Sequence, residues 1–230
     1  MKTYLTFTSR LYRWLVLIIV PGIAIGMNLV WSIKINGLNL IISCLLFVGI
    51  EIFADFYLFG GLSSKDGMGM RYLQTSVKGK QMLRTAIQTD LLVKIFPVAV
   101  ITIISMIQLP YADSDAIVLP SSGLWSMEFT FLNIGLAAVC AIYFGTWIGR
   151  YFNGYGMVLF ISYAAILLFL LLLAIPILHI KAFIYTIFLL AGVAILFWIN
   201  ASTIMRKWDA SYLDAEENFS ELAPSDAKVN

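Results

Sequence analysis

Residues 60–94 read GGLSSKDGMGMRYLQTSVKGKQMLRTAIQTDLLVK. Six bases, Lys65, Arg71, Lys78, Lys80, Arg84 and Lys94, stand there against two acids, Asp66 and Asp90. The flanking sequence is almost entirely apolar. The whole chain is 61% hydrophobic and 12% charged, with a mean hydropathy of +0.91. Soluble domains are about 25% charged, so this chain has too little polar surface to cover a globule in water. It reads as an integral membrane protein. Lys and Arg hold short loops on the cytoplasmic side, which makes residues 60–90 an inside loop and the reference for the rest of the topology.

A spanning helix needs about 20 apolar residues to cross a hydrocarbon core of roughly 30 Å. The 230 residues hold six such runs and short loops, with no room for a sizeable soluble domain besides. The spans fall at 14–31, 38–59, 91–109, 127–148, 157–177 and 182–205. The first has a Trp at each end, as interfacial anchoring favours, and Pro21-Gly22 predicts a kink in it. It lacks a nearby small-residue cleavage site and reads as a retained span. The loop at 110–126 holds Asp113 and Asp115 without a base and reads as external. A tight outside turn at 178–181, near Pro176, divides the last long apolar stretch. This arrangement leaves Lys34 and Lys181 outside and puts the other 13 of the 15 bases inside. Both termini are therefore expected inside, and the fold is expected to be all-α with six transmembrane helices.

Residues 1–13 carry an apolar stripe with Lys2, Arg10 and Arg13, which suits a helix lying in the interface against lipid phosphates; a flexible leader is the alternative. Residues 209–230 are polar and acid-rich, the composition of a disordered cytoplasmic tail. Cys44 and Cys140 both lie in apolar runs, so neither a disulfide framework nor a metal cluster is indicated.

Within the basic loop, Met70, Leu73 and Val77 recur at helical spacing and Gly79 breaks the pattern. Met82, Leu83, Ala86, Ile87 and Leu91 then start a second helix that runs into the third span. A surface helix joined in this way to a spanning helix transmits a push from the cytosol into the membrane. The plainer reading is an interfacial helix resting on anionic lipid.

This layout resembles the ABC-2-type exporter permeases, which have an N-terminal interfacial helix, six spans and one long cytoplasmic loop between spans two and three. In that family the loop carries an acid and Gly, then a run similar to Arg-x-Leu-x-Ser-Leu-Pro-Val-Ser-Arg. Here stand Asp66-Gly67 and then Arg71-Tyr72-Leu73-Gln74-Thr75-Ser76-Val77-Lys78-Gly79-Lys80. Arg71 and Leu73 match, and Lys80 keeps a base at the final position. Val77 stands for the usual Pro and Gly79 for the usual Ser, and the external helical insertion before the last span is absent or reduced to a turn near Pro176.

The resemblance implies a permease subunit in the cell membrane of a bacterium, paired with an identical or sister permease and docked on two copies of an ATP-binding subunit. Asp66, Met70, Arg71, Leu73, Gln74, Val77, Lys78 and Lys80 would form the coupling helix that meets that subunit. ATP and Mg would sit on the partner, because this chain has no Gly-x-x-x-x-Gly-Lys-Ser/Thr loop to cradle phosphates. Closure of the partner would tilt spans two and three against span five of the other copy. The small size is most similar to short permeases that expel amphipathic peptides, such as the phenol-soluble-modulin and lantibiotic-immunity exporters. No cofactor of its own and no nucleic acid are expected.

Glu51 and Asp55 lie four apart on one face of the second span. Charges at that depth cost roughly 2.5–3.5 kcal/mol each and face a cavity or a partner. They are candidates, with Glu128 at the outer end of span four, for the translocation path or a grip on a cationic peptide. The structural alternative is pairing with Lys94, Arg84 or a tyrosine. Gly22-x-x-x-Gly26 and Gly145-x-x-x-Gly149 have the spacing of close helix contacts, a spacing that chance also produces in spans. His179 and the Arg206-Lys207-Trp208 group read as interface residues. An enzyme is disfavoured: one His cannot form His-Glu-x-x-His, no Gly-x-Ser-x-Gly occurs, and Asp66-Gly67-x-x-x-Arg71 lacks the further acids of headgroup transferases. The remaining alternative is a membrane protein that needs no ATPase, such as a secondary transporter, a channel or an immunity protein.

Overall fold

The computed structural model describes residues 13–31, 36–63, 77–108, 124–152, 158–174 and 182–222. The basic loop from 64 to 76, the N-terminal segment 1–12, the acidic loop and the turn holding His179 lie outside the described residues. Among the described residues the regular structure is helical throughout. Helix α1 comprises a π-helical turn, Leu15–Ile19, and an α-helix, Val20–Trp31. The others are α2 Asn36–Ser63, α3 Gly79–Gln108, α4 Leu124–Phe152, α5 Val158–Ala174 and α6 Ala182–Leu222. Each expected span overlaps one of these helices. Three stretches, Gly79–Ile107, Phe129–Gly149 and Phe183–Thr203, are long and apolar enough to cross a membrane, and Leu159–Ala174 is a shorter apolar helix. Among the described residues the chain is all-α, with three helices long and apolar enough to cross a membrane.

The interruption expected at Pro21-Gly22 takes the form of the π-helical turn. The Val20 N–H bonds the Leu15 carbonyl, five residues back. Pro21 has no N–H, and its ring crowds the carbonyl of Leu17 four residues earlier. Widening the turn just before Pro21 relieves that crowding, one of the recognised origins of a bend.

Two boundaries differ from the sequence reading. The helix after Gly79 runs into the third span as one piece, as its apolar spacing indicates, and the boundary that differs is that of the loop assigned to 60–90, which ends at Lys78. The Met82 N–H bonds the Lys78 carbonyl at 2.9 Å, which opens the helical ladder. Leu83, Ala86, Ile87, Asp90, Leu91 and Lys94 then recur every three or four residues and are all buried, the stripe that ties a helix to a core. At the other end, the tail expected to be disordered from 209 is helical to Leu222. Low hydrophobicity does not end a helix that is already nucleated, since each added residue gains one bond. Ala210, Leu213, Ala215, Glu216 and Glu217 are good helix formers, and the first Pro comes only at Pro224.

Helix α4 is the axis of the bundle and packs on α2, α3, α5 and α6. Of its apolar window 72% is buried, against 22% for α6, which leaves α6 at the periphery with Phe183, Ile187, Phe188 and Trp198 facing outward. Small residues on α4 permit the central place. A Cβ on Gly145 would lie 2.5 Å from Ile52 Cδ1 and 3.1 Å from Ala165 Cβ, so α2 and α5 both press on its backbone. Of the two glycine pairs noted in the sequence, Gly145 makes such a contact within this chain. Gly22, Gly26 and Gly149 face open space.

Candidate functional site: a buried ion cluster between α2 and α3

Glu51 and Asp55 are one turn apart on α2, and Asp90 and Lys94 one turn apart on α3. Both pairs fall on the buried stripes of their helices, so packing α2 against α3 brings the four together. All are sealed from solvent, with exposures of 0%, 2%, 0% and 1% in that order. Lys94 Nζ donates a hydrogen bond to Asp55 Oδ1. It lies 3.1 Å from Asp90 Oδ2 and 3.7 Å from Glu51 Oε1. One ammonium therefore serves three carboxylates on two helices.

The energetics follow from burial. The attraction inside a dry bundle offsets desolvation only when geometry and hydrogen bonding are good, and removing one partner of a buried pair costs about 3–5 kcal/mol. Fully ionised, the four groups sum to two negative charges, so Lys94 is the member the cluster can least do without.

Polar contacts extend from the cluster through the bundle. The Tyr143 hydroxyl on α4 donates to the Leu91 carbonyl on α3 at 2.8 Å. Asn200 on α6 donates from Nδ2 to the Tyr143 carbonyl at 2.9 Å. Further out, the Thr186 hydroxyl donates to Asn133 Oδ1 at 2.7 Å, and Trp147 Nε1 donates to the Thr203 hydroxyl oxygen at 3.1 Å. Each of these four donors finds its acceptor on a neighbouring helix, the kind of internal pairing that hydrocarbon surroundings favour. The helices α3, α4 and α6 are thus strung together at the level of Tyr143.

Glu51 and Asp55 come together in the arrangement set out above as the structural alternative, with Lys94 as partner. Lys94, counted from the sequence among the inside bases, is instead enclosed by the bundle. Asp90 is the member that sequence reasoning passed over. Its signal was its place four before Lys94 on the stripe of Leu83, Ala86, Ile87 and Leu91. Glu128 stands on α4 with its side chain outside the described residues.

Of the coupling residues, Val77, Lys78 and Lys80 are exposed where α3 begins. Val77 sits in a turn and is fully exposed, at 104%. Arg84, one turn on from Lys80, is also exposed. Asp66, Met70, Arg71, Leu73 and Gln74 lie outside the described residues. Cys44 and Cys140 are free and buried, and among the described residues no group of His, Cys, Asp and Glu is arranged to hold a metal ion. A scan of protein-family models and searches among curated proteins and solved structures find no match to this chain.

Proposed function

We propose that this chain is the transmembrane permease subunit of an ATP-driven ABC exporter of the ABC-2 type. In this reading it has six spans with both termini in the cytosol and works as a pair with two ATP-binding subunits. It exports amphipathic peptides across a bacterial cell membrane. The observation that carries the reading is the continuity of α3. An exposed turn bearing Val77 and Lys78 opens a 30-residue helix, and four turns in, that helix is ionically bound to α2 through Lys94. A force on the turn moves α3 as a rod, and the cluster couples that motion to α2. The fully exposed Val77, next to Lys78 and near Lys80, supplies an apolar tip in a basic setting for a soluble partner to grip.

The test is recovery of an ATPase. Tagged chain is extracted from native membranes in mild detergent, and ATP hydrolysis is measured on the eluate. Val77→Asp with Lys78→Glu is expected to reduce the recovered activity at least tenfold at equal membrane levels. An eluate with no ATP hydrolysis for the unaltered chain contradicts the reading.

One observation favours a second reading, transport without an ATPase. Intramembrane carboxylates gathered at one place mark cation and proton relays, and three stand around Lys94. Uptake or efflux by the chain alone in sealed liposomes, driven by a proton or sodium gradient, would establish that alternative.

A further inference from the structure

We infer that the α2–α3 cluster is a sliding electrostatic contact, in which Glu51 and Asp55 are interchangeable acceptors for Lys94. The two carboxylates are spaced by one turn on α2, and Lys94 Nζ lies between them, bonded to Asp55 and 3.7 Å from Glu51. A normal N–H···O distance is about 2.9 Å, so transfer of the bond from Asp55 to Glu51 takes a displacement on the order of 1 Å or slightly more. Helix shifts of about 1–2 Å are an ordinary currency of conformational change. Asp90 rides on α3 with Lys94 at 3.1 Å and keeps the ammonium compensated during the exchange.

Two further features fit a contact that moves. A third carboxylate is superfluous for neutralising one lysine, but a moving lysine needs acceptors on both sides of its travel. Pro97 withholds the N–H that would bond the Val93 carbonyl, so α3 is most compliant just beyond Lys94. Among the described residues the charged groups that face Lys94 are Glu51 and Asp55 of α2 and Asp90 of α3, and α4 contributes the Tyr143 hydroxyl nearby. The inference gives the lever of the proposed function its bearing and rests on that reading for the source of the push. The exchange itself requires no ATPase, so the two can fail separately.

The experiment uses the full chain in detergent with no partner. Spin labels are placed at Phe53→Cys on α2 and Phe96→Cys on α3, both exposed positions, in a background of Cys44→Ala and Cys140→Ala. Glu51→Gln, Asp55→Asn and the double variant are compared for folded yield by size exclusion, and the two single variants for label distance by pulsed electron resonance. Each single variant is expected to retain at least half of the parent's folded yield, and the double variant to lose at least tenfold. The mean distance in Asp55→Asn is expected to differ from that in Glu51→Gln by about 1–2 Å. If either single variant fails to fold, or falls as far as the double, the acceptors are not interchangeable and the inference is overturned. Equal distances in the two single variants overturn it as well.

Discussion

The Tyr143 hydroxyl of α4 bonds the carbonyl of Leu91, the residue that follows Asp90 on α3, at 2.8 Å. The innermost helix thus touches α3 within one turn of Lys94, beside the ion cluster. Asn200 in turn bonds the Tyr143 carbonyl, so one residue relays α3 to α6.

Tyr143→Phe keeps the ring and deletes that bond. The Leu91 carbonyl retains its helical partner, so the expected loss is about 1 kcal/mol. In a chain of this size that lowers the melting temperature by roughly 2–4 °C. Thermal unfolding in detergent, followed by the size-exclusion profile after heating, measures it. An unchanged profile would mean that the contact bears no weight.

Lys94→Met removes the ammonium and strands three carboxylates in the bundle. A loss of about 3–5 kcal/mol is expected, enough to deplete folded protein from the membrane. Adding Glu51→Met, Asp55→Leu and Asp90→Leu to Lys94→Met removes the stranded charge, and folded yield is expected to return to within about twofold of the parent, since replacing a whole buried ion group by apolar side chains of similar volume is often neutral. The rescue is decisive, because simple loss of packing at position 94 would persist in the fourfold variant.

Gly145→Val forces a side chain against Ile52 and Ala165, whose atoms stand 2.5 and 3.1 Å from the Cβ position. Overpacking of this kind costs about 1–3 kcal/mol. Gly149→Ala on the same helix meets open space and is expected to fall within about 0.5 kcal/mol of the parent. Equal melting temperatures for the two variants would show that α2 and α5 can part to admit the valine.

Arg84→Gly with Thr85→Gly softens α3 between the exposed turn and Lys94. Both positions are exposed, and glycine costs about 1 kcal/mol at each, so the fold is expected to survive. A rod is stiff and a softened rod is not: ATPase association is expected to stay within about twofold of the parent while peptide export falls at least fivefold. Export at the parent's level would remove α3 stiffness from the mechanism.

The helices themselves were legible, because long apolar runs admit few other structures in lipid. The i,i+4 spacing of Glu51 and Asp55 placed them on one face, and Lys94 could be named as a partner from charge alone. Asp90 was hidden because it was counted with the loop, although its spacing from Ile87, Leu91 and Lys94 marks it as part of the buried stripe. The helix beyond Asp209 was missed for a different reason: composition reports whether a segment can nucleate by itself, not whether an existing helix runs on through it. Of the four glycines with close-contact spacing, nothing local distinguishes Gly145, whose role depends on where Ile52 and Ala165 come to rest.

The lever reading turns on what meets the turn at the head of α3. A photoactivatable side chain at Val77, irradiated in intact cells, addresses it directly. The expected product is a covalent adduct between this chain and a cytosolic nucleotide-hydrolysing subunit, abolished by Lys78→Glu. Adducts to lipid alone, or labelling of Lys78→Cys by an impermeant thiol reagent from outside the cell, would contradict it.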